Sequence, residues 1–169
     1  MEIMLDGGKF HPSTRLSLEA LQWLEDRIAP QNVLDMGCGS GILSLIAAQL
    51  WDAKVLACDI SEKAIEDTTG NINEFGMEEA ITAIRSDGFK HGDIQKHGPF
   101  GLIIINLLAQ WHVAMAMDIH KELLPGGRAL LSGILAWQMD GIRDAFGAIN
   151  MHIEQIFTEN EWQAAVLVK

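Results

Sequence analysis

Cysteine occurs only twice in 169 residues, at Cys38 and Cys58. Two thiols so placed make neither metal-ligand spacing nor a disulfide framework, and they read as buried thiols of a reducing, cytoplasmic compartment. Long apolar runs are also missing, and none nears the roughly 20 residues of a membrane span. The opening Met1-Glu2-Ile3-Met4 lacks the basic-then-apolar plan of a signal peptide. Repeats, low-complexity tracts and linkers are absent too, so the expectation is one domain over residues 1–169. Basic residues are few, 12 against 23 acidic, which gives a formal charge of −11. A surface that acidic repels phosphate backbones and argues against a large nucleic-acid footprint, while it suits a small molecule or a basic protein segment. No serine sits in a Gly-x-Ser-x-Gly elbow, and the six histidines have no metal spacing, so no metal and no hydrolase are expected. His112 and His120 are expected on the solvent side of a helix, and His91 and His97 in a loop.

What remains is an alternation of strands and helices. His11-Pro12-Ser13-Thr14 reads as a turn and helix cap, followed by Ser17, Ala20, Leu21, Leu24 and Ile28 at helical spacing before Pro30. Val33-Leu34-Asp35-Met36 is a short strand entering a glycine loop, and 41–50 is a helix apolar almost all round. A second strand over 54–58 ends at Asp59. Ser61 then caps a helix with Ile65, Thr68, Ile72 and Phe75 on one face. A third strand spans 80–85, a polar loop 89–99, and a fourth, buried strand 102–105. Trp111, Met115, Ile119 and Leu123 line a helix stopped by Pro125-Gly126-Gly127. A fifth strand over 128–132 and a helix over 137–149 follow, then two strands over 152–157 and 162–168. Only a short turn joins those two, so they must pair antiparallel. The expected fold is therefore α/β, a doubly wound, mostly parallel seven-stranded sheet ending in an antiparallel hairpin.

Asp35-Met36-Gly37-Cys38-Gly39-Ser40-Gly41 carries the strongest chemical signal. Glycines let a backbone turn from strand to helix with a ligand directly against it. The dinucleotide fingerprint places its third glycine one residue later than here. Asp35 would repel a pyrophosphate but can attract the ammonium of an amino-acid moiety. Asp59, after the second strand, can accept both hydroxyls of a ribose. Asp87, after the third, is placed to reach an adenine amino group, or is a solvated turn aspartate. Asn106 ends the fourth strand, which should neighbour the first at the switch point. Its amide can hold a nucleophilic nitrogen toward a methyl sulfonium, or is simply a polar strand end.

The glycine loop, Asp59-Ile60 and Leu124-Pro125-Gly126-Gly127 together resemble class I methyltransferases over nearly the whole chain. His11-Pro12-Ser13-Thr14-Arg15, Asn106-Leu107-Leu108-Ala109, Ser132-Gly133-Ile134-Leu135 and Glu161-Trp162 resemble, more closely, the catalytic domain of bacterial ribosomal protein L11 methyltransferases. The resemblance implies S-adenosylmethionine as cofactor, with contacts at Thr14, Gly37, Asp59 and Asn106, and with Gly39 and Ile60 in the same loop and strand end. It implies methyl transfer to lysine ε-amines and an N-terminal α-amine, Asn106 facing the amine and His11 lying beside the site. Three departures stand out. The family's N-terminal recognition domain is not expected here. Its aromatic lead-in to the histidine is replaced by Asp6-Gly7-Gly8-Lys9, with Phe10 as the available substitute. Gln110-Trp111 stands where the family has Gly-Pro, which alters the substrate wall. A small-molecule methyltransferase, or a cofactor-binding subunit completed by a partner chain, remains an alternative.

Overall fold

A computed structural model describes residues 10–169. The altered Asp6-Gly7-Gly8-Lys9 stretch lies outside the described residues. His11 opens the first helix: its Nδ1 accepts from the Ser13 amide at 3.3 Å, and Pro12 fills a position where no amide hydrogen is needed. This helix, α1 (Pro12–Leu24), buries Leu16, Ser17, Ala20, Leu21 and Leu24. Ile28 lies beyond its end, in the turn before Pro30.

The elements then follow as β1 (Asn32–Met36), α2 (Ile42–Trp51), β2 (Lys54–Asp59), α3 (Glu62–Glu74), β3 (Ile81–Arg85), α4 (Gly92–His97), β4 (Phe100–Asn106), α5 (Ala109–Ala114), α6 (Ala116–Glu122), β5 (Leu123–Leu135), α7 (Met139–Gly147), β6 (His152–Glu159) and β7 (Trp162–Val168). Seven strands form one sheet in the order β3-β2-β1-β4-β5-β7-β6. The first five are parallel, and β7 runs antiparallel to both β5 and β6. The expected doubly wound sheet with its antiparallel hairpin is therefore present. Leu102, Ile103, Ile104 and Ile105 are fully buried because helices cover both faces of β4. The core of one face is built on α1, α2 and α3, and that of the other on residues of α4 to α7.

Several local expectations are corrected. The polar loop 89–99 contains α4, capped when His91 Nδ1 accepts from the Asp93 amide at 3.2 Å. His97 lies in that helix, not in a loop. Six residues with one buried side chain, Ile94, give too little periodicity to be read. The helix expected around Trp111 breaks at Met115 into α5 and α6, so Trp111 is half exposed while Ala109 and His112 turn inward. His112 is thus fully buried and His120 half-buried, against the expectation of a solvent face. Phe75 is past the last turn of α3 and exposed. Pro125-Gly126-Gly127 lies within β5 as an irregularity in its pairing with β4, between Phe100 and Leu102.

Candidate active site at the switch point

β1 pairs with β2 on one side and β4 on the other, so successive connections leave the sheet in opposite directions at the β1–β4 boundary. A crevice at the C-terminal strand ends is the usual outcome. Gly37 and Gly39 after β1, Asp59 as the last residue of β2, Asp87 after β3 and Asn106 as the last residue of β4 all lie on that edge. The structure thus places these five of the residues singled out in the sequence on one edge of the sheet. Two cavities, of about 180 Å³ around Lys54 and Phe100 and about 320 Å³ around Pro30 and Gly126, lie at the opposite strand ends.

The glycine loop is fixed from below and from the side. The amides of Gly37 and Cys38 both donate to the Cys58 carbonyl, at 2.7 and 3.0 Å. From α3, Thr68 Oγ1 donates to the Gly39 carbonyl at 2.9 Å and Asn71 Nδ2 to the Ser40 carbonyl at 2.8 Å. Sequence alone gives neither α3 residue a place in the site, because helical spacing only puts Thr68 on one face with Ile65, Ile72 and Phe75. Gly37 has φ +79°, and a Cβ there would stand 2.8 Å from Leu107 Cδ2. Around Gly39 there is open space.

Asp59 is half-buried. Its Oδ2 accepts from the Gly39 amide at 3.1 Å and its Oδ1 from the Ser61 amide at 2.9 Å. Each oxygen keeps a second lone pair. Ile60 beside it is 61% exposed, which leaves an apolar surface at the strand end. Asp87 is exposed and paired with Lys90. Asp35 does not face open space: it is buried beneath the loop, where Ser44 Oγ donates to its Oδ2 at 2.6 Å. Burial pushes this carboxyl up to about 6, against the pull of the Ser44 bond and with a smaller push from Asp59.

Asn106 Nδ2 donates to Thr14 Oγ1 at 3.3 Å. With the nitrogen so engaged, the amide oxygen lies over Gly133, where a Cβ would be 3.3 Å from it. Next to Thr14, Ser13 is buried, and its carbonyl accepts from Ser17 Oγ at 2.9 Å and Ser132 Oγ at 2.7 Å. His11 is exposed at the rim, its ring edge-on to Trp162 with centroids 4.7 Å apart. Gln110 is exposed, and Leu108, Trp111 and Trp137, on the segments that follow β4 and β5, are 58%, 50% and 77% exposed. Arg15 ties this rim to β6 through Glu159 and to the Phe10 carbonyl. The sequence assigns Ser13, Ser132 and His112 no task of their own in the site, because small hydroxyls and a lone histidine carry no spacing signal.

His112 Nε2 lies 2.8 Å from the Ser132 carbonyl, so that nitrogen carries the hydrogen, and Nδ1 is buried without a hydrogen-bond partner. Burial pushes the ring down to about 4, although the Ser132 and Leu107 backbone favours its charged form. Asp35 and His112 therefore act on stability with opposite signs. The folded value of Asp35 is raised, so its contribution is full below about pH 4 and lost as pH rises through about 6. That of His112 is lowered, so its contribution is full above about pH 6.5 and lost as pH falls toward 4. Each window is worth on the order of 3 kcal/mol, and the two offset. Urea titrations at pH 6.5 and 4 should show His112→Gln gaining stability relative to the parent on acidification, and Asp35→Asn losing it. Parallel curves for all three proteins would contradict both assignments.

The strand order, the glycine loop at the switch point and the polar ends of β2 and β4 are those of the class I methyltransferase fold. The chain belongs to the ribosomal protein L11 methyltransferase family, whose model, Ribosomal protein L11 methyltransferase (PrmA), matches residues 4–169. It is 36% identical over 167 residues to the ribosomal protein L11 methyltransferase of Syntrophotalea carbinolica, covering 98% of this chain and 53% of the relative. With that of Rhizobium rhizogenes it shares 33% identity over 156 residues, 92% of this chain and 53% of the relative. The chain spans about half the length of these curated relatives. The crystal structure of ribosomal protein L11 methylase from Lactobacillus delbrueckii subsp. bulgaricus superposes with a TM-score of 0.84 at 26% identity, covering 94% of this chain and 78% of that one. Among the described residues, no helix is long and apolar enough to cross a membrane, and no group of three or more His, Cys, Asp or Glu residues is arranged to hold a metal ion.

Proposed function

We propose that this domain transfers a methyl group from S-adenosylmethionine to a protein amine, a lysine ε-amine or a chain N-terminus, with Asn106 meeting the amine. The observation that carries the reading is the Asn106 amide at the β1–β4 switch point, its nitrogen held by Thr14. The residues present fit the cofactor. Gly39 leaves the loop open, the Asp59 oxygens keep lone pairs for ribose hydroxyls, and Asp87, exposed after β3, has its Oδ2 engaged by Lys90 and its Oδ1 left for an adenine amino group. Asp35, beneath the loop, adds negative potential for an amino-acid ammonium.

When bound, S-adenosylmethionine supplies a methyl group on a positively charged sulfur. An ordinary lysine has a pKa of about 10.4, so presenting it neutral near pH 7.4 costs about 4 kcal/mol. Asn106 Oδ1 accepts a hydrogen from the neutral amine and aims its lone pair, so the rate gain comes from proximity and orientation. A formal charge of −11 suits a basic protein as acceptor. The ribosomal protein named for the relatives is the first acceptor to try.

Calorimetric titration with S-adenosylmethionine and, separately, with NAD tests the cofactor. Binding of the former alone is expected, and binding of NAD alone overturns the reading. Asp59→Ala should weaken S-adenosylmethionine binding about tenfold to a hundredfold, since hydrogen bonds to a charged group are lost. Unchanged affinity would remove Asp59 from the site. Incubation of ribosomal protein L11 with methyl-labelled cofactor should label an amine, while label appearing only on small molecules would turn the acceptor reading to a small-molecule one.

A further inference from the structure

His112 is the one fully buried histidine of the described residues, and the amine chemistry assigns it no task. Its place follows from an irregularity in β5. The β5–β7 pairing shifts between Leu131 and Ile134, so Ser132 and Gly133 have no partner in β7. Such a bulge leaves backbone groups out of the ladder and re-aims side chains. A buried backbone carbonyl needs a donor, and the Ser132 carbonyl finds one in His112 Nε2 at 2.8 Å.

Ser132 is also the β5 partner of Asn106 in the β4–β5 ladder. Its side chain donates to the Ser13 carbonyl at 2.7 Å, fixing the first turn of α1. The next residue there is Thr14, whose Oγ1 accepts from Asn106 Nδ2. A closed path thus runs from His112 through Ser132, Ser13 and Thr14 to the Asn106 amide. On the other flank, Gly133 packs directly against the Leu107 carbonyl, which follows Asn106.

We propose that His112 is a positioning residue that orients the Asn106 amide through Ser132 and the first turn of α1. The proposal rests on Asn106 being the group that meets the acceptor amine. Its hydrogen-bond path, however, is present in the chain without any ligand. A nitrogen that donates to Ser132 holds the bulge in one geometry, and the bulge holds the helix turn that orients the amide.

The test is nuclear magnetic resonance of the Asn106 side-chain amide, assigned by its loss in Asn106→Ala. In His112→Leu, which keeps apolar bulk but has no N–H, solvent exchange of that amide should rise at least tenfold. His112→Gln, whose amide can donate to the same carbonyl, should restore slow exchange. Ser132→Ala keeps the histidine bond but cuts the link to Ser13, and it should loosen the amide as His112→Leu does. An unchanged Asn106 signal in folded His112→Leu or in Ser132→Ala overturns the proposal. Should His112→Leu fail to fold, Ser132→Ala and the parent ring decide: ¹⁵N spectra showing the hydrogen on Nδ1 also overturn it. Calorimetry of the parent with S-adenosylmethionine is read separately. Failure to bind sinks the proposed function while a loosened amide still supports the positioning role.

Discussion

Gly133→Ala is expected to cost about 3–5 kcal/mol and to lower the thermal midpoint by roughly 10 °C. Gly133 has φ +79° in the β5 bulge, and an added Cβ would lie 2.3 Å from the Leu107 carbonyl oxygen and 2.9 Å from its carbon. Both atoms are backbone, so no side chain can rotate away. The strand end or the loop after Asn106 must move, and either motion carries Asn106 with it. Gly126→Ala separates the two contributions: its φ is +74°, yet nothing lies within 4 Å of the new Cβ. That variant should show the left-handed penalty alone, about 1–2 kcal/mol. Equal losses at both positions would mean that the approach of Leu107 to β5 is not close in solution. Differential scanning calorimetry gives the comparison directly.

Asn106→Ala should lower turnover on the order of 10²-fold while changing cofactor affinity no more than about threefold. The amide oxygen over Gly133 can accept from an incoming amine, and alanine offers nothing there. A small displacement of reacting atoms costs as much as losing a group. Asn106→Asp keeps an acceptor but adds a negative charge, which favours the ammonium form of the amine. Its turnover should fall near neutral pH and recover as pH rises. Single-turnover rates with methyl-labelled cofactor, set beside calorimetric affinities, separate these effects. A loss shared equally between affinity and rate would make Asn106 a cofactor ligand with no part in orienting the acceptor.

Both predictions rest on residues of unequal visibility in the sequence. The positions of the glycine loop, Asp59 and Asn106 at strand ends are legible because strands and helices alternate regularly along an α/β chain. The hairpin was readable because the turn between β6 and β7 is too short for a crossover. What stayed hidden depended on tertiary placement. Trp111 and Met115 have helical spacing, but the break at Met115 gives the inward face of α5 to His112. The bond of that histidine to Ser132 bridges 20 residues, a distance no local pattern reports. Asp35 was placed correctly along the chain, yet its burial under the loop depends on Ser44, one turn into α2. α4 was missed because Ile94 is its only buried side chain.

The strand order β5-β7-β6 has a consequence for how the chain assembles. β6 touches no strand except β7, although it precedes β7 in synthesis. Until 162–168 arrives, β6 has no edge to join, and its half-buried residues Ile153 and Ile156 remain unsheltered. An unpaired strand of this kind is a template for wrong partners. Assembly at this end of the sheet therefore runs against the order of translation, with the earlier strand waiting for the later one.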